Sequence, residues 1–292
     1  MFDVIVVGGG IAGLTAATYL SSKGKQVLLI EKNDKCGGLV NSFSRNGFQF
    51  DAGVRALEDA GIVFPMLKGL GIELEVVKSK VTVGVENEII HVEDISSINA
   101  YMKMLLKLYP ESEGDIEHVI KVIRKIMRHM DVLYGVENPI IKDIWKDKSY
   151  IFRKLLPWLP KFLFTIRKIN RMNMPVEEYL KTIINDPSLR DIISQHFFRD
   201  TPTFFALSYF SLYLDYFYPK GGVGKLADAV EAKLLELGGE IKKSTTIREV
   251  VAGKGVVVDE EKQVYQYKNL IWAGDLKTLY KITDTQGLSD RI

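Results

Sequence analysis

The segment VIVVGGGIAGLTAATYLSSKGKQVLLIEK, residues 4–32, constrains this chain more than any other. Val4 to Val7 is a short run of β-branched residues and predicts a buried strand. Gly8, Gly10 and Gly13 follow in the spacing G-x-G-x-x-G, and the pattern turns helical from Ile11 to about Ser22. Val27 to Ile30 predicts a second buried strand, with Glu31 at its end. A strand, a tight turn, a helix, a second strand and an acid in this register form a dinucleotide-binding unit.

Each position has a physical task. Gly8 permits a sharp turn where a Cβ would clash. Gly10 lets the backbone approach a pyrophosphate, which the first amides of the helix attract. Gly13 lets the helix pack tightly on the sheet. Glu31, 23 residues after Gly8, is placed to accept hydrogen bonds from two ribose hydroxyls. Its charge repels a 2′-phosphate and so disfavours NADPH, whereas NAD and FAD both remain compatible.

At 292 residues the chain exceeds the roughly 100–200 residues usual for one domain, so one large or two interleaved domains are expected. The net charge of +2 gives no reason to invoke nucleic acid. A single cysteine, Cys36, excludes an intrachain disulfide and a cysteine-based structural zinc site. The four histidines, His91, His118, His129 and His196, lack metal-ligand spacing, so no metal is expected. With no secretory signal and no apolar run of about 18 residues, a cytoplasmic location is expected. Residues 140–175 stand apart, carrying nine Lys or Arg against two Asp, with Phe152, Trp158, Phe162 and Phe164 among them. This run suits either contact with an anionic membrane surface or a set of solvated basic faces.

Further along, Asn46-Gly47 between Phe43 and Phe48 predicts a hairpin turn. A helix is expected over Ala60–Leu70, then two or three short antiparallel strands over residues 73–92, and a helix over residues 98–109. Ile116, Val119, Ile120, Ile123, Met127, Met130 and Tyr134 form one helical stripe. Pro157 and Pro160 are expected to break the basic segment, and Met174-Pro175 to start another helix. Ten Phe or Tyr lie between Phe197 and Tyr218, a density that suits a core or a pocket for a large apolar ligand, with His196 and Arg199 as polar exceptions. The α/β pattern then returns: a helix carrying Leu226, Val230, Leu234 and Leu237, one strand running from Ile241 on through Thr245–Val251, a hairpin, and the apolar strand Asn269–Ala273.

Five segments in order, VVGGGIAGLTAATYL, EKNDKCGGLVNSF, FDAG, PKGGVGKLADAVEAKLLELGGEI and NLIWAGD, resemble the FAD-dependent amine oxidase and phytoene desaturase superfamily, and in it the carotenoid desaturase-isomerase and retinol saturase-like branch. The resemblance implies an α/β fold: a Rossmann-like FAD/NAD(P)-binding domain (residues 1–72 and 219–292) with an inserted, mostly helical α+β substrate domain (73–218). It implies FAD as the cofactor, with Gly8, Gly10, Ile11, Ala12 and Gly13 at the pyrophosphate and Glu31 and Lys32 at the ADP ribose. Gly37, Gly38 and Leu39 would run beside the diphosphate and ribityl chain, Gly53 nearer the ring, and the Ile247 backbone beside the adenine. The implied reaction is hydride transfer between an apolar, carotenoid- or isoprenoid-type substrate and flavin N5. The alternatives are an amine or protoporphyrinogen oxidase-like enzyme and a catalytically incomplete FAD-binding fragment or subunit; no catalytic side chain is singled out.

The chain departs from the pattern twice. Leu39 stands where amine oxidases carry a basic residue, which favours the apolar-substrate branch. Family members also continue past NLIWAGD to a final glycine-rich FAD motif, whereas this sequence ends at Asp290-Arg291-Ile292. The expectation is a truncated chain, a natural fragment or half of a split enzyme, completed by a second chain or a missing C-terminal segment.

Overall fold

A computed structural model describes residues 1–59, 61–136 and 147–283. In chain order the first elements are β1 (Phe2–Val7), α1 (Ile11–Ser22), β2 (Val27–Ile30), β3 (Ser42–Arg45), β4 (Phe48–Asp51), β5 (Leu57–Glu58), α2 (Val63–Leu70), β6 (Val76–Lys78), β7 (Val81–Val85) and β8 (Glu88–Val92). Helices follow: α3 (Ser97–Leu108), α4 (Glu113–Leu133), α5 (Lys148–Tyr150), α6 (Leu156–Ile169), α7 (Val176–Ile183), α8 (Pro187–Ser194), α9 (Thr203–Ala206) and α10 (Tyr209–Leu214). The chain continues through β9 (Tyr216–Pro219), α11 (Gly224–Glu236), β10 (Glu240–Lys242), β11 (Ile247–Val251), β12 (Val256–Asp259), β13 (Val264–Trp272) and α12 (Leu276–Ile282). It divides into two compact units, one of residues 1–56, 66–77 and 218 onward, the other of 57–65 and 78–217.

The first unit is built on a six-stranded sheet in the order β10-β2-β1-β13-β12-β11. Strands β10, β2, β1 and β13 run parallel, with Val4 beside Val27 and Val7 beside Trp272. Ile5, Val6 and Leu29 are wholly buried, as expected where both faces of a parallel sheet are covered. Helix α1 spans the range that its periodicity predicts.

Two strands differ from the sequence-based expectation. Residues 241–251 are not one strand: β10 lies on one edge of the sheet, and β11 on the other. Ser244 adopts φ 50° and ends β10. The Ser244 and Thr245 amides then donate to the carbonyls of Asn33 (2.9 Å) and Glu31 (3.0 Å), carrying the chain across the carboxyl end of β2. Conversely, β13 unites two expected strands. Its first residues pair antiparallel with β12, and Tyr267 to Trp272 pair parallel with β1.

The second unit is mostly helical. The stripe on α4 is buried through Ile116, Val119, Ile120, Ile123, Ile126, Met127 and Met130, whereas Tyr134 is exposed. Strands β7 and β8 form a hairpin, Val81 opposite Val92. Helix α2 begins at Val63; Ala60, its expected start, lies outside the described residues. The prolines do not break the basic segment. A π turn at Ile151–Leu155 joins α5 to α6, with Pro157 in the first turn of α6 and Pro160 inside it. The wider π turn gives the Pro157 ring room at the position where it would otherwise meet a carbonyl.

Candidate dinucleotide site

The site is built where β1 ends. Gly8 has φ +107°, and a Cβ there would lie 2.8 Å from the Ala273 carbonyl carbon. A Cβ on Gly13 would lie 1.9 Å from the Gly8 carbonyl oxygen, so α1 rests directly on the turn that precedes it. At Gly10, by contrast, a Cβ would meet no atom within 4 Å. Gly10 is the N-cap of α1; no side chain caps the helix and no acid stands in its first turn. The amides of Ile11 and Ala12 therefore begin a 12-residue helix at an open backbone position, which is what a pyrophosphate requires.

Glu31 is buried, with 7% of its surface exposed. Its Oε2 accepts from the Gly9 amide at 2.6 Å, and its Oε1 from the Asn33 amide at 2.9 Å and Asn33 Nδ2 at 2.7 Å. A carboxylate has about four acceptor positions. Three are taken, so one ribose hydroxyl can be accepted without displacing a protein donor, where the sequence suggests two. Lys32 beside it is exposed.

The second glycine pair docks on the first loop. The Gly37 amide donates to the Gly9 carbonyl at 2.8 Å, Gly37 forms a parallel bridge with Gly10, and a Cβ on Gly38 would lie 3.2 Å from Gly10 Cα. Leu39 follows, largely exposed, and its carbonyl accepts from the Val54 amide at 3.0 Å. Gly53 packs under that carbonyl, 2.6 Å from where its Cβ would be. Cys36 is buried against Gly9. Burial and then Glu231 push its thiol up to about 12, so it is a neutral packing group and not a nucleophile. Ile247 is buried at the start of β11, just after the chain crosses Glu31.

One residue escaped the sequence reading. Asp51 closes the β3–β4 hairpin on the loop before α11. Its Oδ1 accepts from Ser42 Oγ and the Val223 amide, each at 3.0 Å, and its Oδ2 from the Tyr218 hydroxyl at 2.8 Å. Ser42 Oγ in turn accepts from the Gly224 amide at 3.0 Å. Burial raises the Asp51 carboxyl, but the bonds from Tyr218, Val223 and Ser42, with Arg55 nearby, outweigh it and hold the group below its ordinary value. The signal available in the sequence was only an acid at a polar position of the alternation FQFD.

In the second unit, the aromatic segment is core only in part: Phe204, Tyr209 and Phe210 are buried, whereas Phe198 and Phe205 are exposed. Tyr209 and Phe210 are wholly buried with Tyr101. His196 stacks on Tyr209 at 4.0 Å and bonds the Tyr213 hydroxyl through Nδ1 at 2.8 Å. Burial pulls His196 down to about 4, so it is a neutral packing histidine at pH 7. A separate cleft of about 270 Å³ is lined by Glu58, Asp59, Asp131, Asp215, Tyr134 and Leu212 among others. Burial and neighbouring carboxylates raise Glu58 and Asp215 there. Among the described residues no His, Cys, Asp and Glu cluster could hold a metal ion, and no helix is long and apolar enough to cross a membrane.

Known proteins resemble this chain in sequence and in fold. The human all-trans-retinol 13,14-reductase is 24% identical over 282 residues, covering 89% of this chain and 44% of that protein. The 4,4′-diapolycopene oxygenase of a Methylomonas species is 27% identical over 265 residues, covering 85% and 50%. The chain thus spans about half the length of the curated relatives it matches. Among solved structures, an oxidoreductase from Methanosarcina mazei superposes with a TM-score of 0.67 at 17% identity, covering 98% of this chain and 62% of that one. This likeness shows the α/β fold of FAD-binding oxidoreductases. Residues 11–291 match the family described as flavin containing amine oxidoreductase, and the chain belongs to that family.

Proposed function

We propose that this chain holds FAD and belongs to an oxidoreductase that transfers hydride between an apolar, isoprenoid-type substrate and flavin N5. The observation that carries the cofactor assignment is the open, uncapped start of α1 at Gly10 beside the buried carboxylate of Glu31. In this reading the Ile11, Ala12 and Gly13 amides take the pyrophosphate and Glu31 accepts one ribose hydroxyl, with Lys32 at the rim. Gly37, Gly38 and Leu39 flank the diphosphate and ribityl chain, Gly53 lies nearer the ring, and the Ile247 backbone lies beside the adenine. The flavin supplies the hydride chemistry when bound; the chain's own residues bind and orient it. Residues 1–72 and 219–292 form the nucleotide-binding part and residues 73–218 the substrate part.

Support for the substrate class comes from the names of relatives, which include a retinol reductase, a diapolycopene oxygenase and a carotenoid 3,4-desaturase. Exposed Leu39 in place of a basic residue agrees with an apolar substrate. Because the chain spans 44% of the first relative, cofactor binding and turnover are tested separately. Purified protein is mixed with FAD, passed through gel filtration and scanned in the visible. Retained flavin bands with a perturbed spectrum are expected, and a colourless protein overturns the cofactor reading. Holoprotein is then given a polyene such as retinol or lycopene anaerobically; bleaching of the oxidised flavin or a shift of the polyene spectrum is expected. Reduction by a primary amine and not by the polyene overturns the substrate class.

A further inference from the structure

The helix from Lys148 to Ile169 has one face anchored within its own unit. Trp158 donates from Nε1 to the Val132 carbonyl at 2.5 Å and stacks on Phe162 at 4.4 Å, while Thr165 and Ile169 are buried. Its opposite face carries Phe152, Leu156, Leu159 and Leu163, spaced i, i+4, i+7 and i+11 as one helical stripe. These four are 67%, 48%, 41% and 56% exposed, and Phe164, about a quarter-turn round the helix and beneath Lys168, is 61% exposed. A stripe this regular turned to water is a contact surface.

Charge indicates what it contacts. Residues 148–172 contain seven Lys or Arg (Lys148, Arg153, Lys154, Lys161, Arg167, Lys168 and Arg171) and no Asp or Glu. Within α6, at about 100° per residue, Arg167 falls along the margin of the stripe and Lys168 and Lys161 beyond it, while Arg153 adjoins Phe152 in the π turn that leads into α6. Lys168 Nζ also sits 4.3 Å over the Phe164 ring. The positive field extends to α4, where burial and then Lys168, Lys125 and Arg128 lower His129. Large apolar side chains bordered by cations without interspersed acids match the interface of an anionic bilayer, where the apolar groups enter the acyl boundary and the cations meet phosphate. A protein partner for such a face would need acids set around an apolar strip, and a solvated surface would not expose two phenylalanines and three leucines together.

We propose that this helix lies flat on anionic lipid, with Phe152, Leu156, Leu159, Leu163 and Phe164 inserted and the arginines and lysines on the headgroups. Residues 140–146 of the basic run lie outside the described residues and are not needed for this. The inference is independent of the substrate reading, because binding to lipid requires neither flavin nor turnover.

The test is co-sedimentation of the 292-residue chain with phosphatidylcholine vesicles, with and without phosphatidylglycerol, at low and high salt. Binding is expected to the anionic vesicles only and to weaken with salt. The double variant Leu156→Asp/Leu163→Asp should lose about tenfold or more in partition coefficient, with circular dichroism and thermal midpoint unchanged. Leu156→Gln/Leu163→Gln serves if the aspartates disturb folding. Arg153→Gln/Arg167→Gln should weaken binding to anionic vesicles while leaving the fold intact. Absence of vesicle binding, or undiminished binding of the leucine variants, overturns the proposal. So does self-association of the wild type, seen by sedimentation velocity, that the leucine substitutions abolish, since the face would then belong to a second copy.

Discussion

Replacing Glu31 by glutamine separates the two tasks assigned to its carboxylate. Its two oxygens accept three protein donors, the Gly9 amide, the Asn33 amide and Asn33 Nδ2. In Glu31→Gln one oxygen becomes an NH₂, which must face either Gly9 or Asn33 as donor against donor. At least one buried N–H then loses its acceptor, a cost of about 1.5–3 kcal/mol for bonds to a charged group. In a chain of this size that lowers the thermal midpoint by about 3–12 °C. The same change removes the charged acceptor proposed for a ribose hydroxyl, so FAD binding should weaken by about 10- to 100-fold. Asn33→Ala, which removes only the Nδ2 donor and leaves the carboxylate, should cost less in both measurements. The assays are a thermal melt of the apoprotein and a titration of FAD followed by flavin fluorescence. A Glu31→Gln protein that melts lower yet binds FAD as tightly as the wild type would refute the ribose assignment and leave Glu31 as a brace for the Gly9 turn.

Gly13→Ala places a methyl 1.9 Å from the Gly8 carbonyl oxygen, backbone that cannot swing aside, so a loss of about 3 kcal/mol or more is expected in urea unfolding; an unchanged midpoint would contradict the close packing of α1. Gly10→Ala meets no atom within 4 Å and should cost the apoprotein less than about 1 kcal/mol while weakening FAD retention, a contrast that one gel-filtration experiment reads. Asp51→Asn can keep the Ser42 and Val223 bonds and donate to the Tyr218 oxygen, so it should cost about 1 kcal/mol, against about 2–4 for Asp51→Ala. Since Asp51 is held below its ordinary value, its contribution is present above the unfolded carboxylate pKa and is lost as the pH falls through the lower folded one; equal losses for both variants would show that the bonds do not matter. His196 is lowered to about 4 by burial, so the unfolded chain binds its proton more readily between pH 6.5 and 4. Stability should therefore rise with pH across that window and be complete above it. His196→Phe, which keeps the ring on Tyr209, should flatten the slope; an identical slope in the variant would remove His196 from the account.

What the sequence makes legible is local. The strand, glycine turn, helix and second strand that end at Glu31 lie within 30 consecutive residues, and each follows from composition and period alone. The hairpin at Asn46-Gly47 belongs with them, since both residues take the positive φ that its turn requires, 52° and 80°. The errors share a different cause. Residues 241–251 have continuous strand character, and what divides them is the Ser244 turn with two amides donated to carbonyls more than 200 residues earlier. Pro157 follows a π turn that has no signature in composition, and Pro160 is carried inside α6 itself, so neither ends the helix.

Asp51 completes this logic. It bonds the Val223 amide across 172 residues and the Tyr218 hydroxyl across 167, so a local window along the chain holds Ser42 but neither of these partners. Its own segment shows only that an acid closes the alternation FQFD. Yet through these bonds it ties the β3–β4 hairpin to the loop before α11, and a Cβ on Gly222 would strike the same cluster, 2.6 Å from Ser42 Oγ. Gly222 of the PKGG loop thus has a reason that motif reading alone does not supply: it admits the hairpin. The glycines at Gly8 and Gly13 serve α1 and its turn, whereas a Cβ on Gly10 would meet no atom of the protein, so the proposed pyrophosphate site is where the packing leaves its glycine unexplained. Only the structure separates the glycines that make room for the protein from the one that does not.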